Sequence, residues 1–588
     1  MIAGHDVLRI ANCSGFYGDR FAAAREMVDG GPIDVLTGDY LAELTMAILY
    51  KKRLKNDAAG YASTFVRQVI EVIEQCMARG IKIVANAGGL DPEGCAQAVR
   101  HACDQLNVRP KIAWIEGDDL VPRLGELTEA GERLANIDSG KSIAESNRSV
   151  LTANAYLGAW GIKQALDDDA DIVICPRVTD ASIVIGPAAW KFGWSRDDYD
   201  QLAGALLAGH LIECGASVTG GNYAFFHEVP SLRNVGFPIA EIEADGSFTI
   251  TKHPGTGGLV SKGTLTAQTL YEIGSPAYLN PDVTGHFDSF SMQAAGPERV
   301  RVTGVRGSSP PPTHKVCMNL EAGHRISIEL ALTGLDVEAK ARVFTDALFD
   351  SLGGRETFDR VDELLLRTDR HDPQSNDAAT ATLRLIVHSS DPAKVGRGFG
   401  RKVTELALAS FPGFYGKPAV TSSGPVIEHW PALVDSKHIV ERVHSDGKVT
   451  EVLPTSQLDL PEDGYHGPPY DAPPVPNGPT ARVPLGQLFG ARSGDKGGNA
   501  NVGVWARTEE AYAFLYHFLT AQKLAELLPD MAQYPIERFE LPNILSLNFV
   551  IRGVLGEGIA AATRTDGQAK SLGEYLRARL IDVPEALL

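Results

Sequence analysis

The chain has 588 residues, 44% of them hydrophobic and 22% charged, and a formal net charge of −19. These are the proportions of a folded globular protein, and the length calls for about three or four domains. A chain this acidic lacks the broad basic surface that nucleic acid or an anionic membrane needs, so neither is expected as a partner; a local basic pocket for a small anion stays open.

No run of about 18 apolar residues is present, so no membrane-spanning helix is expected. Met1 to Arg9 carries His, Asp and Arg and lacks the apolar core of a secretory leader. The seven cysteines, Cys13, Cys76, Cys95, Cys103, Cys175, Cys214 and Cys317, are odd in number and form no C-x-x-C. A reducing, cytoplasmic location is the expectation.

Residues 1–215 alternate short apolar strands with helices. Strands are predicted at Val7 to Cys13, Ile33 to Leu36, Ile81 to Ala85, Lys111 to Ile115 and Asp171 to Cys175. Helices are predicted at Phe21 to Val28, Tyr61 to Arg79, Pro92 to Leu106 and Val150 to Leu166. That order is the signature of an α/β fold, a parallel sheet with helices on both faces. From 216 to 445 the texture becomes period-2, as in Ile239 to Glu243 and Ile326 to Leu330, with helices at Val337 to Leu352 and Gly400 to Ala409. A second, α+β domain is expected there. Residues 446–480 are Pro-rich and predicted to be a linker. Residues 481–588 read as a small ferredoxin-like α+β domain, with helices at Ala511 to Leu527 and Leu572 to Leu580.

In a parallel sheet, ligands bind beyond the C-terminal ends of the strands. Each of the five ends here is polar or glycine-bearing, and together they would line a rim with Asp39, Asp91, Asp118, Asp119, Asp180 and Arg177. Asp180 and Asp91 are candidate acid/base groups, and Arg177 is a candidate anion clamp. Asp91, just before Pro92, fits a helix N-cap equally well. Candidate substrate-binding residues on the same rim are Ser14, Gly15, Asn86, Gly88, Gly89 and Thr179, where backbone N–H groups at a helix start can meet an anion. Near the C-terminus, Gly490 to Asn501 is predicted to be a glycine-dense loop between strands. It adds Arg492, Ser493, Asp495, Lys496 and Asn499 as anion-binding candidates, or else an ordinary hairpin turn.

The standard cofactor motifs are missing: no Gly-x-Gly-x-x-Gly follows the first strand, and Ser139-Gly140-Lys141-Ser142 lacks the first glycine of a P-loop. No zinc spacing or Gly-x-Ser-x-Gly occurs. No resident cofactor and no metal are therefore expected.

At these residues the chain resembles the acyclic terpene utilisation protein A family. The resemblance is carried by Asn12 to Gly18, Asn86 to Asp91, Arg177-Val178-Thr179-Asp180-Ala181, His253 to Gly258 with Tyr271-Glu272 and Pro281-Asp282-Val283, and Ser493 to Gly497. It covers about 1–445 as a core and 481–588 as a separate domain. It departs at Pro176, where the pattern has Gly. The resemblance implies a founding context of bacterial breakdown of acyclic terpenes through acyl-CoA intermediates, with a substrate that need not be a terpenoid, and it fixes no catalytic residue.

Three readings follow. The first is a lyase or hydratase of a branched acyl-CoA or related carboxylic acid, with a coenzyme A thioester as substrate and a homo-oligomeric assembly expected. The second is a non-catalytic binding or scaffold subunit of an acyl-CoA-processing complex. The third is a metal-assisted hydrolase using the rim aspartates.

Overall fold

The computed structural model describes residues 7–56, 59–416, 422–458, 465, 467, 469–476 and 478–588. The first six residues and parts of the Pro-rich stretch lie outside the described residues. The chain forms two compact units, one of residues 1–319, 429–559 and 566–588, the other of 320–428 and 560–565.

The first unit is built on an eleven-stranded sheet. Its centre is five parallel strands, ordered Val7–Asn12, Val35–Gly38, Lys82–Ala85, Ile172–Ile174 and Ile112–Glu116. Nearly every residue of these strands is buried. Successive side chains point to opposite faces, so both faces are covered. Helices Ala23–Asp29, Ser63–Arg79 and Pro92–Gln105 pack together, as do Trp160–Asp167, Ser182–Phe192 and Tyr199–Ile212. Ser63–Arg79 stops at Gly80, whose φ of +67° supplies the left-handed cap.

Antiparallel strands extend the sheet on both sides. Pro238–Glu243, Phe248–Lys252, Val300–Thr303 and Ser291–Ala294 follow outward from Val7–Asn12. Glu441–Ser445 and Lys448–Val452 close the other edge beside Ile112–Glu116. The strands on either side of residue 216 thus share one sheet, and the sheet reaches residue 452.

The segment expected to be one helix, Val150 to Leu166, is instead a strand, Val150–Ala155, and a shorter helix, Trp160–Asp167. The strand is held by long-range partners that local periodicity does not reveal: it pairs with Thr313–Thr333, and Asn319 donates to Thr152 at 2.8 Å. The helix start is fixed by Asp282 and Glu441, whose carboxylates accept the N–H groups of Ala159 and Gly161 at 2.9 and 2.8 Å.

The C-terminal part of this unit has a four-stranded antiparallel sheet, ordered Gly490–Lys496, Asn499–Trp505, Ser546–Ile551 and Ile536–Leu541. The predicted glycine loop is therefore two paired strands joined at Gly497-Gly498, with Arg492 opposite Gly503 and Lys496 opposite Asn499. The helix expected over Ala511 to Leu527 breaks at Leu519-Thr520, because the Thr520 side chain caps a second helix by accepting the N–H of Lys523. Leu572–Arg577 is helical, but Leu580–Pro584 turns into a strand paired with Thr480–Pro484.

The second unit is a smaller antiparallel sheet in which Thr380–Ser389 lies between Arg360–Leu366 and residues 324–333. Ile328, Leu330, Leu383 and Leu385 meet Phe344 and Leu348 of helix Val337–Ser351 in its core.

Candidate functional site

The parallel strands deliver a set of polar side chains to their C-terminal ends, and most of them are buried. Asn86 donates to Asp39 at 2.5 Å and accepts the N–H of Tyr40 at 2.7 Å. Asp118 accepts from Asn154 at 2.8 Å and from the N–H of Arg177 at 3.3 Å. Arg177 is only 2% exposed. Its guanidinium lies 2.6 Å from Asp180, donates to the Val178 carbonyl at 2.9 Å, and stacks over the Tyr156 ring with its central carbon 4.2 Å from the centroid. Its Nε has no hydrogen-bond partner among the described residues. Beyond the ring, the Tyr156 hydroxyl donates to Glu43 at 2.8 Å, and Lys315 Nζ stands 3.3 Å from the same carboxylate oxygen.

Helix Tyr199–Ile212 adds His210, whose Nδ1 is 3.2 Å from the buried Glu213 carboxylate. The C-terminal hairpin brings two more groups. Lys496 Nζ donates to the Glu272 carbonyl at 3.0 Å. Asp495 and the Glu272 carboxylate each lie 3.3 Å from Lys570 Nζ.

The glycines of that hairpin permit close approach to the segment Leu270 to Gly274. A Cβ on Gly494 would stand 2.5 Å from the Tyr271 ring, and one on Gly503 would stand 2.5 Å from Leu270 Cβ. Asn501, fully buried, fastens the contact. It accepts the N–H of Glu272 at 2.9 Å and donates to the Leu270 carbonyl at 2.7 Å and to Asn548 at 2.8 Å.

Burial sets the proton inventory of this group. Burial first, then Asp180, holds Asp39 well above the carboxylate range, against the pull of Arg177 and Asn86. Glu213 is raised by burial and by Asp180, and Glu272 by burial and by Asp495. Burial pushes Asp118 and Asp495 up to about 7 each. Burial also opposes charge on Glu43, but Lys315, then His429 and Arg177, hold it well below the usual range. Arg177 keeps its charge despite burial because Asp180, Tyr156, Glu43 and Asp39 surround it. Lys496 is pushed down to about 8, by burial first and then by Lys315. The cluster therefore sets carboxyl groups that burial pushes above their usual range beside buried positive charge. This is the condition in which a side chain can give or take a proton at small cost.

The predicted residues divide into two sets. Arg177 and Asp180 sit in the cluster, with Asn86 joined to it through Asp39, and Asp495 and Lys496 reach it from the hairpin. Arg492 stacks on Tyr271 at 4.3 Å and donates to the Asn222 carbonyl at 3.2 Å, on the docking side of the same hairpin. Thr179 accepts from Asn280 at 2.7 Å.

The remainder are committed to local structure. Asp91 caps helix Pro92–Gln105 by accepting the N–H of Gly94 at 2.9 Å. The N–H of Gly88 is taken by the Cys175 carbonyl at 2.9 Å, and a Cβ on Gly89 would meet Leu49 at 2.5 Å. Ser14 donates through its N–H to Asn12 at 2.8 Å, and the Gly15 N–H goes to Asp19 at 2.8 Å. Ser493 accepts the N–H of Gly573 at 2.9 Å. Asn499 donates to Asp138 at 2.6 Å and accepts the N–H of Gly553 at 2.8 Å.

Glu43, Tyr156, Glu213, Lys315 and His429 belong to the cluster and carry no motif in the sequence. The one local signal is their polarity inside otherwise apolar segments, as for Glu213 after Ala205-Leu206-Leu207 and Leu211-Ile212.

A groove of about 770 Å³ opens elsewhere, lined by Arg233, Lys252, His253, Thr256, Glu298 and Arg299 among others. Two of its cations are already paired: Lys252 is 3.5 Å from Glu298 and 3.2 Å from the Thr256 carbonyl, and Arg299 is bound to Glu241. The carboxyl groups that burial pushes up lie instead in the cluster at the strand ends, and chemistry follows those.

Among the described residues no group of three His, Cys, Asp or Glu is arranged to hold a metal ion, and no helix is long and apolar enough to cross a membrane. No curated protein and no solved structure matches the chain. Two family models do. The model described as acyclic terpene utilisation family protein AtuA matches residues 8–445, and the model described as the AtuA ferredoxin-like domain matches residues 483–582. The first spans well over half of the chain, which therefore belongs to the acyclic terpene utilisation AtuA family and carries that family's ferredoxin-like domain at its C-terminus.

Proposed function

We propose that the chain is a catabolic enzyme that acts on a branched carboxylic acid or its coenzyme A thioester by acid/base chemistry of the lyase or hydratase type. One observation carries the reading: a buried cation, Arg177, stands among carboxyl groups that differ in protonation, with Lys496 supplied from the C-terminal hairpin. Such a site can bind an anionic carbonyl compound, hold developing enolate charge and move a proton, all with protein groups alone.

The roles follow from the contacts. Arg177 clamps the carboxylate or thioester oxygen, and Asp180, 2.6 Å away, aims it. Asp91 leaves the acid/base pair, because its carboxylate caps a helix. Asp39 and Glu213, which keep their protons through burial, take its place as acids. The family description points to an acyclic, isoprenoid-derived carbon chain. A metal-assisted hydrolase fits less well, because Arg177 already pairs with Asp180 at 2.6 Å and Asp91 caps a helix.

The test is direct incubation of the purified protein with branched acyl-CoA thioesters and the matching free acids, with products followed by mass. Turnover supports the reading. Tight binding with no product in any condition favours the binding-subunit reading and removes this one.

A further inference from the structure

His429 is a buried histidine without a hydrogen-bond partner among the described residues. It is 7% exposed, and neither Nδ1 nor Nε2 meets a donor or acceptor. A neutral imidazole offers one donor and one acceptor. Leaving each unmet costs about 1–3 kcal/mol, a large share of the roughly 5–15 kcal/mol that holds a domain folded. Buried side chains kept only for packing are normally satisfied.

Its surroundings place it at the cluster. The backbone N–H of His429 donates to the Glu557 carbonyl at 3.0 Å, and Gly558 leaves the room its Cβ needs: an added methyl there would lie 2.8 Å from it. A Cβ on Gly497 would stand 3.9 Å from the ring's Cδ2, so the imidazole lies beside the hairpin turn, one residue from Lys496. The charged groups acting on it are Glu43, Lys315, Asp138 and Arg177. Asp138 is engaged by Asn499, and Glu43 by Tyr156 and Lys315, so none of these carboxylates pairs with the ring.

We propose that the imidazole of His429 is a ligand-facing proton-transfer group of this site, its two nitrogens left open for the bound substrate and water. The proposal rests on the acid/base reading above. In the hydration of an α,β-unsaturated thioester or acid, its unprotonated nitrogen takes a proton from water, the water oxygen bonds the β-carbon as the α,β double bond opens, a protonated carboxyl of the cluster gives a proton to the α-carbon, and the imidazolium's proton then returns to that carboxylate through water. The sum is addition of one water. Burial, the leading cause, pushes the ring down to about 4, so it stands ready as a neutral base across the physiological range.

The test uses His429→Phe and His429→Gln in the full chain. Phenylalanine keeps the ring and removes both nitrogens. With the nitrogens reserved for ligand, the empty H429F protein has a Tm equal to or above wild type. Turnover of the branched acyl-CoA panel falls by about 10²-fold or more. H429Q, which can hydrogen-bond but cannot take a proton, recovers none of it, and any low-pH limb in kcat/KM disappears with the ring. A lower Tm for empty H429F means that the protein itself uses the nitrogens, and the proposal is overturned; retained turnover overturns it as well. Should the wild type turn over no thioester or acid, the enzyme reading falls first. A Tm of H429F equal to or above wild type then still sustains an open, ligand-facing ring, and a lower Tm sinks it.

Discussion

Lys496 Nζ lies 3.0 Å from the carbonyl oxygen of Glu272, and the N–H of the same Glu272 is held by Asn501. Glu272 has a φ of +59°, a left-handed conformation that a non-glycine residue adopts only when its neighbours hold it there. The C-terminal hairpin is therefore the clamp on the segment that carries Glu272 into the cluster.

Asn501→Ala should break that clamp. It leaves the Glu272 N–H and the Leu270 carbonyl without partners in a buried contact. We expect a loss of about 2–4 kcal/mol, from two buried groups unmet, seen as a lower denaturant midpoint. A loss under about 0.5 kcal/mol, the range of an ordinary surface change, means the hairpin is not what holds Glu272.

Arg177→Lys tests the clamp on substrate. Lysine keeps the charge beside Asp180 but loses the planar face on Tyr156 and the paired donors. The fold should survive, because the half-buried Asp180 carboxylate retains a cation. We expect kcat/KM to fall about 10²–10³-fold, the scale of removing one preorganised electrostatic contact. A variant as active as wild type removes Arg177 from the site.

Much of this architecture is legible in the sequence, and for stated reasons. The five parallel strands show as short apolar runs, and Gly80 and Pro92 mark a helix end and a helix start. Asp180 and Arg177 are found because a strand end is where a parallel sheet presents polar groups. Three things are hidden. Helix Ser182–Phe192 is buried almost throughout and contains Pro187, so it shows no amphipathic period. Val150–Ala155 is a strand because of partners more than 150 residues away. In the Gly490 to Asn501 stretch, which reads as a glycine-dense loop, Gly494 lets a strand pack against the Tyr271 ring. The cluster is half visible for a related cause. Glu43, Glu213, Lys315 and His429 come from separate segments, and only the closed fold makes neighbours of them.

Glu441 carries a pH prediction for stability. It is 2% exposed and accepts the N–H groups of Gly158 and Gly161, yet burial, then Asp282, push it up to about 8. The folded chain thus keeps a proton that the unfolded chain releases near the usual value of about 4.3. That stabilisation is full below the unfolded value and is lost as pH rises through the folded one. Glu441→Gln cannot ionise, although it gives up one of the two N–H contacts. Relative to wild type it should be weaker at acid pH and gain on the order of 2–4 kcal/mol between pH 5.5 and 8.5, at up to about 1.4 kcal/mol per unit. Urea midpoints at the two pH values measure this, and a difference that does not change with pH refutes the assignment.

Lys496 carries the opposite sign. Burial and Lys315 lower it to about 8, against the pull of Glu272 and Glu43. Its ammonium is present below that value and is lost as pH rises through it, well before a free lysine would titrate at about 10.4. If this ammonium meets the substrate anion, affinity should weaken through pH 8 by as much as about tenfold per unit, while the empty protein becomes easier to fold over the same range. Lys496→Met should remove the step, binding more weakly at pH 7 and no differently at pH 9. Isothermal titration of isovaleryl-CoA and of isovalerate across that range reads both limbs. The free acid separates the carboxylate from the thioester and its phosphates: a pH step with the thioester alone assigns Lys496 to the coenzyme A moiety, and a step with both assigns it to the acyl end. Identical profiles in K496M and wild type would take the hairpin out of the site, leaving it only the structural role that Asn501 already fills.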